Sequence, residues 1–209
     1  MKLFDMTGAP NPRRVRVFLA EKGIDIEKVQ IDIMEGENLQ SDYLSINPRG
    51  VLPTLQLDDG SIIDETTAIC RYFEETNPSP ALYGHDAKSK ALIESWLRQI
   101  EGDCFTPTAD VLRNSNSVFE NRSIPGTNNT PQIPALSDRG TDRVLAFYSR
   151  LNEHLANSQY LVGDAFSMAD ITAMCTIDFA EYVGIAVPAD LSNLSKWREK
   201  VNSRPSAQA

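Results

Sequence analysis

Asn47-Pro48-Arg49-Gly50-Val51-Leu52-Pro53-Thr54-Leu55 runs a proline into the start of an apolar strand. Proline has no N–H for the ladder, and an X-Pro bond takes the cis form at modest cost. Leu52 can then turn its own N–H and C=O outward, toward an extended, peptide-like ligand. The same Pro53 also fits the plainer role of an edge or strand-start proline. Just beyond it, Thr54-Leu55-Gln56-Leu57 and Ser61-Ile62-Ile63 flank Asp58-Asp59-Gly60, a hairpin whose glycine supplies positive φ. Thr66 to Thr76 follows, with Ala68, Ile69, Tyr72 and Phe73 on one helical face.

Upstream, Lys2 to Met6 reads as a short strand and Gly8 to Pro12 as a break. Val15, Phe18 and Leu19 then give the stripe of a helix ending near Gly23. Val29, Ile31 and Ile33 alternate with polar residues as a second strand, and 36–47 is polar and weakly structured. Strand, helix, strand, polar connection, hairpin and helix make a thioredoxin-like α/β layout, a βαβ unit extended by antiparallel strands.

Asn77-Pro78-Ser79-Pro80 stops the last of these helices, and beyond it the apolar period is helical throughout. Leu92, Trp96, Leu97 and Ile100 form one stripe. Val144, Leu145, Tyr148, Leu151 and Leu155 form another, and Ile171, Met174, Cys175 and Phe179, with Asp178, a third. We expect a thioredoxin-like domain over 1–80, a linker over 81–87 and an all-helical bundle over 88–209. Ser117 to Ser137, with Pro125, Gly126, Asn128, Asn129, Pro131 and Pro134, reads as a long surface connection.

The net charge of -9 argues against a nucleic-acid partner, and no apolar run approaches a membrane span. The first residues carry no leader pattern, so a cytoplasmic location is expected. Three widely spaced cysteines without a Cys-x-x-Cys pair give neither a disulfide framework nor a dithiol motif, and Cys70 and Cys104 read as packing residues. Two isolated histidines leave no candidate metal site. An anionic ligand would have to be held by local N–H groups or a few placed cations.

Asp64-Glu65-Thr66-Thr67-Ala68-Ile69 sets two carboxylates and two hydroxyls where a helix begins. The free N–H groups there attract a carboxylate and Glu65 can accept from an ammonium, which together match an amino-acid zwitterion. The alternative is that these residues simply cap the helix.

Both stretches, in this order behind strand, helix and strand, resemble the glutathione transferase family. Pro53 resembles its cis-proline, and Glu65-Thr66 the pair that holds the γ-glutamyl end of glutathione. Gly163-Asp164-Ala165-Phe166-Ser167-Met168-Ala169-Asp170-Ile171 resembles the family's N-capping box, in which Ser167 and Asp170 close the start of a buried helix. The likeness runs to Trp197, Val201 and Arg204-Pro205. Asn11 to Lys22 is similar to the bacterial and fungal branch typified by the second yeast glutathione transferase.

The resemblance implies an enzyme that binds glutathione as co-substrate, without metal or organic cofactor, and presents its thiolate to a small electrophile. It also implies a homodimer. Ala9 stands where most members carry Tyr, Ser or Cys, so thiolate stabilisation falls to Asn11, to N–H groups at the start of the first helix, or to a water held by Ser115 or Asn114, with Thr7 a further polar neighbour. Asn38 matches a residue that meets the glycyl carboxylate, Val51 replaces a usual Lys or Gln, and Arg49 is a compensating cation. Arg13 and Arg14 are expected on a solvated helix face, with an approach of the first to the cleft as the alternative. The electrophile pocket is expected near Val111, Leu112, Ser115, Phe119 and Tyr182. Two other readings are glutathione-dependent disulfide or peroxide reduction and a non-catalytic glutathione-binding protein.

Overall fold

The computed structural model describes residues 1–127 and 129–209; Asn128, within the connection read from Ser117 to Ser137, lies outside the described residues. The first half contains β1 (Lys2–Asp5), α1 (Pro10–Lys22), β2 (Glu27–Gln30), α2 (Ser41–Leu44), β3 (Thr54–Gln56), β4 (Ile62–Asp64) and α3 (Thr66–Thr76). The sheet order is β2-β1-β3-β4, with β1 parallel to β2 and both hairpin pairings antiparallel. Proline at the first position of α1 and left-handed Gly23 at its end, with φ of 66°, fix the limits of that helix.

The second strand is shorter than its alternation suggested. After Ile31 donates to the Asp5 carbonyl at 2.8 Å, the Asp32 carboxylate accepts the N–H groups of Met34 and Glu35, turning the chain out of the sheet. The polar stretch 36–47 also holds more structure than expected: a 3₁₀ turn over Glu37–Leu39, then α2.

The second half is helical: α4 (Ala87–Ile100), a π-helical turn (Glu101–Phe105), α5 (Thr106–Ser115), α6 (Ala135–Leu155), α7 (Met168–Tyr182) and α8 (Ser192–Asn202). Two expected stripes lie slightly rotated. In α4 the buried residues are Ile93, Leu97 and Ile100, while Leu92 is exposed and Trp96 packs half-buried against His154. In α6, Phe147 is buried and Leu145 is not. Helix α7 is buried on almost every side, as a helix at the centre of a bundle must be. Its start is closed by Asp170, which is fully buried and accepts from the Ser167 N–H and hydroxyl, the Leu161 N–H and the Trp197 indole. Among the described residues, no helix is long and apolar enough to cross a membrane.

The connection 81–87 is no free tether, because Leu82 and Tyr83 are buried and the Tyr83 ring meets Phe18 edge-on at 6.0 Å. One apolar cluster runs from Leu3 and Phe18 through Tyr83 and Leu97 to Tyr148 and Met174.

Arg14 corrects the expectation of a solvated face, and Arg13 follows the alternative reading, lining the cleft. Helix α1 packs against α7 and both guanidiniums are paired: the buried Arg14 with Glu101 at 2.8 Å, the partly exposed Arg13 with Asp178 at 2.7 Å. Two turns on, Glu21 takes a two-pronged ion pair from Arg204, 2.7 Å at each oxygen, and a hydrogen bond from Ser206. Burial alone would raise the Glu21 pKa, but these bonds outweigh it and hold the carboxyl below its usual 4.5. Its stabilising contribution is therefore present above about pH 4.5 and fades as pH falls through the lowered folded value. Glu21→Gln should cost about 1–3 kcal/mol at pH 7. Urea titrations at stepwise lower pH should show native and variant converging below about pH 4.5; a gap that stays constant would remove the ion pair as its cause.

Candidate functional site

A cleft of about 560 Å³ opens between the start of α1, the Val51-Leu52-Pro53 segment, the start of α3 and a wall built by α5, α7 and the 119–126 connection. At its floor, α1 begins with proline at its first and third positions, Pro10 and Pro12, neither of which has an N–H. The Ala9 N–H goes to Met6 and the Arg13 N–H to Ala9. That leaves the Asn11 N–H as the unspent donor of the first turn. The Asn11 side chain is oriented as well. Its Oδ1 accepts from Arg14 at 2.9 Å, and because a guanidinium only donates, the amide Nδ2 must be the atom left to donate elsewhere. Thr7, the other polar neighbour, binds Gln30 through both its N–H and its hydroxyl and does not line the cleft.

The Leu52-Pro53 bond is cis, and among the described residues the Leu52 N–H and C=O make no hydrogen bond within the chain. The segment rests on a buried polar cluster that sequence reading missed. The Tyr43 hydroxyl donates to the Val51 carbonyl at 2.5 Å and meets the Thr54 hydroxyl at 2.8 Å, and Asn47 Nδ2 donates to Thr54 at 2.9 Å. Burial pushes the Tyr43 pKa up to about 12, so its hydroxyl stays a donor.

At the third side, Glu65 holds φ of 68°, a left-handed value that costs a non-glycine residue energy. Neither Glu65 nor a neighbour caps α3 through a side chain, so the capping alternative does not describe this turn. Glu65 and Thr66 line the cleft instead, with Glu65 paired to Arg49 at 2.7 Å.

The opposite wall is mostly apolar, formed by Phe105, Ala109, Leu112, Phe119, Phe179 and Tyr182. Val111 faces the α6 side, near Gly140, and is not part of it. Ser115 is also a correction: its hydroxyl donates to the Val111 carbonyl at 2.7 Å, one turn back, and it lies outside the cleft. Asn114 is likewise spent, accepting from Ile133 at 2.8 Å. Cys175 lines the floor, but burial pushes its pKa up to about 11, so it remains a thiol at neutral pH. Cys70 and Cys104 are buried packing residues with raised pKa values for the same reason.

The N-terminal domain pattern of glutathione S-transferases matches residues 9–76, and the C-terminal domain pattern of the same family matches residues 127–205. Glutathione S-transferase 2 of Saccharomyces cerevisiae is 31% identical over the whole of this chain and 88% of its own. The chain belongs to the glutathione S-transferase family. A glutathione S-transferase domain-containing protein from Marinobacter aquaeolei superposes with a TM-score of 0.91 at 33% identity, covering 99% of each chain. Gtt2 from Saccharomyces cerevisiae gives 0.91 at 30% identity, over 100% of this chain and 99% of its own.

Asn38 and Arg49 line the cleft of this family member, but each is already engaged. Asn38 Nδ2 donates to the Gly50 carbonyl at 2.7 Å, and its buried Oδ1 has no partner, a polarity that suits a ligand N–H better than the carboxylate expected there. Arg49 spans Asp64 and Glu65, so it braces the turn before α3 rather than standing free.

Tyr43→Phe should lower stability by about 1–2 kcal/mol, since it leaves the Val51 carbonyl short of its nearest donor while keeping the ring against Phe4. Thermal and denaturant unfolding would measure this, and an unchanged midpoint would mean the hydroxyl does not hold the segment.

Proposed function

We propose that this chain is a glutathione transferase that binds reduced glutathione as co-substrate, with no further cofactor, and joins its thiolate to a small electrophile. The arrangement that carries the reading is the convergence of three donor sets on one cleft: the unpaired Leu52 backbone, the free N–H groups of the first turn of α3 with the Thr66 hydroxyl, held only by a long 3.5 Å bond to the Asn11 carbonyl, and the Asn11 donors. In this reading residues 1–80 bind glutathione, 81–87 join the halves and 88–209 supply the second pocket. The curated relative in yeast bears the name glutathione S-transferase and matches the full length of this chain.

The γ-glutamyl ammonium meets the Glu65 carboxylate, and its carboxylate meets the Thr66 hydroxyl and N–H at the positive end of α3. The cysteinyl unit pairs with Leu52 as an added strand would. Asn38 Oδ1 accepts a peptide N–H. This places the sulfur over the start of α1, where Ala9 offers only a methyl and Asn11 offers both its backbone N–H and its amide.

Lowering the thiol pKa releases the S–H proton to solvent, and the sulfur lone pair forms the new S–C bond. With an aryl halide the halide leaves with its bonding pair; with an activated alkene a water proton completes the addition. Binding supplies proximity and the oriented donors favour the thiolate. A cytoplasmic homodimer acting in detoxification belongs to the same proposal; buried, unpaired thiols and a strongly acidic surface are consistent with it.

Calorimetric titration with reduced glutathione, paired with an ultraviolet scan for bound thiolate, tests this directly. Saturable binding with a thiolate band at neutral pH is expected. Thr66→Val should weaken binding about 10- to 100-fold, the worth of a hydrogen bond to a charged group. Asn11→Ala should instead raise the pH at which the thiolate band and kcat/KM develop. Absence of glutathione binding by the native protein would overturn the proposal.

A further inference from the structure

The helical wall carries two cations that the binding scheme above does not use. Arg113 follows Leu112 on α5, beside the apolar row of Phe105, Ala109 and Leu112, and Arg122 reaches the same place from the connection behind α5. Both guanidiniums lie over the Phe119 ring, 4.6 and 5.8 Å from its centre. Each spends a donor on a backbone carbonyl, Arg113 on Arg122 and Arg122 on Ile33, both at 2.8 Å, out of five N–H groups per guanidinium. Among the described residues neither forms an ion pair, although the chain has 29 acidic residues against 20 basic ones.

Holding two such charges together in a half-buried corner is unfavourable, and burial with the neighbouring Arg122 charge pulls the Arg113 pKa down to about 10. It still carries its proton at neutral pH. The cleft lining contains Arg13, Arg49, Arg113 and Arg122 against Glu65 and Asp178. Those two acids are already matched, Glu65 by Arg49 and Asp178 by Arg13 and Arg198, so the unbalanced charge belongs to Arg113 and Arg122. Holding a carbonyl requires no positive charge. A planar carboxylate, by contrast, takes paired guanidinium donors well, and the adjacent Phe119, Leu112 and Phe105 surface suits a ring or alkyl body.

We propose that Arg113 and Arg122 form a subsite for a carboxylate carried by the second substrate, so that the preferred electrophile joins an apolar body to an acidic group. This rests on the glutathione-transferase reading. The same chemistry could be offered by the glycyl carboxylate of glutathione itself, and the test separates the two sources.

Calorimetry would compare S-(4-carboxy-2-nitrophenyl)glutathione with its methyl ester and with free glutathione, on the native protein and on Arg113→Gln, Arg122→Gln and Arg113→Lys. The acid conjugate should bind the native protein about 10-fold or more tightly than the ester, a preference lost in both Gln variants and only partly kept in Arg113→Lys, which retains the charge without the planar fork. Free glutathione should change less than about 3-fold, within the scatter expected when no charged hydrogen bond is lost. Equal binding of acid and ester, or a fall for free glutathione as large as for the acid conjugate, overturns the subsite while the transferase reading stands. If free glutathione does not bind the native protein, that reading fails; 3-nitrobenzoate then decides alone, and equal binding to native and Gln variants overturns the subsite as well.

Discussion

Arg14 sits buried between the Asn11 amide and the Glu101 carboxylate, and much of the cleft follows from that placement. A guanidinium taken out of water is costly unless it is paired; both terminal nitrogens of Arg14 are met, though its buried Nε has no partner, and the pairing fixes three things together. It sets α1 against the π-helical turn that carries Glu101 and Phe105. It assigns the Asn11 oxygen inward and the amide donor outward. It also packs the Arg14 guanidinium over Phe105, 5.3 Å from the ring centre, at the edge of the apolar wall. Arg13 repeats the arrangement one residue away, reaching Asp178 on α7 and the Ala207 carbonyl. One helix thereby registers the two sides of the cleft.

The features legible in the sequence are those whose cause is local. Gly60 announces a turn because its φ of 86° is needed between two adjacent apolar strands, and Pro53 announces a break in the ladder because it lacks a donor. Ser167 and Asp170 are three residues apart and close their helix themselves. What the sequence concealed depends on partners far along the chain. Arg14 finds Glu101 after 87 residues and Arg13 finds Asp178 after 165, so a run of charges that looks solvated turns inward. Ser115 failed for the converse reason: a hydroxyl in the last turn of a helix finds a carbonyl four residues back, and no spacing rule shows which way that bond points it.

The connection after α5 runs over the surface, as its composition reads, with Val118, Ile124 and Ile133 exposed, but it is anchored at points that composition does not show. Phe119 and Ser123 are its buried anchors, Arg122 holds the Ile33 carbonyl, and Pro125 and Gly126 line the cleft. Gly126 matters here for its close approach, since a Cβ at that position would come within 3.2 Å of the Arg49 carbonyl. Polar, breaker-rich sequence marks irregular backbone; whether that backbone faces solvent depends on what it is laid against.

A chain with net charge -9 is at first sight a poor host for glutathione, whose two carboxylates outnumber its ammonium and which gains a further negative charge as the thiolate. The cleft answers locally. Exposed acids are screened within about 8 Å at physiological ionic strength, whereas charges recessed against low-dielectric walls act at closer range and with less screening. Arginines line the cleft on every side, and the acids among them are already neutralised by ion pairs. The overall charge then favours solubility, while the balance of charge inside the cleft governs which anions enter it. The absent hydroxyl at Ala9 becomes less of a loss on the same argument. In the proposed scheme a thiolate over two Asn11 donors, at the positive end of α1 and in a cleft with surplus arginine, would be stabilised by its surroundings rather than by one side chain.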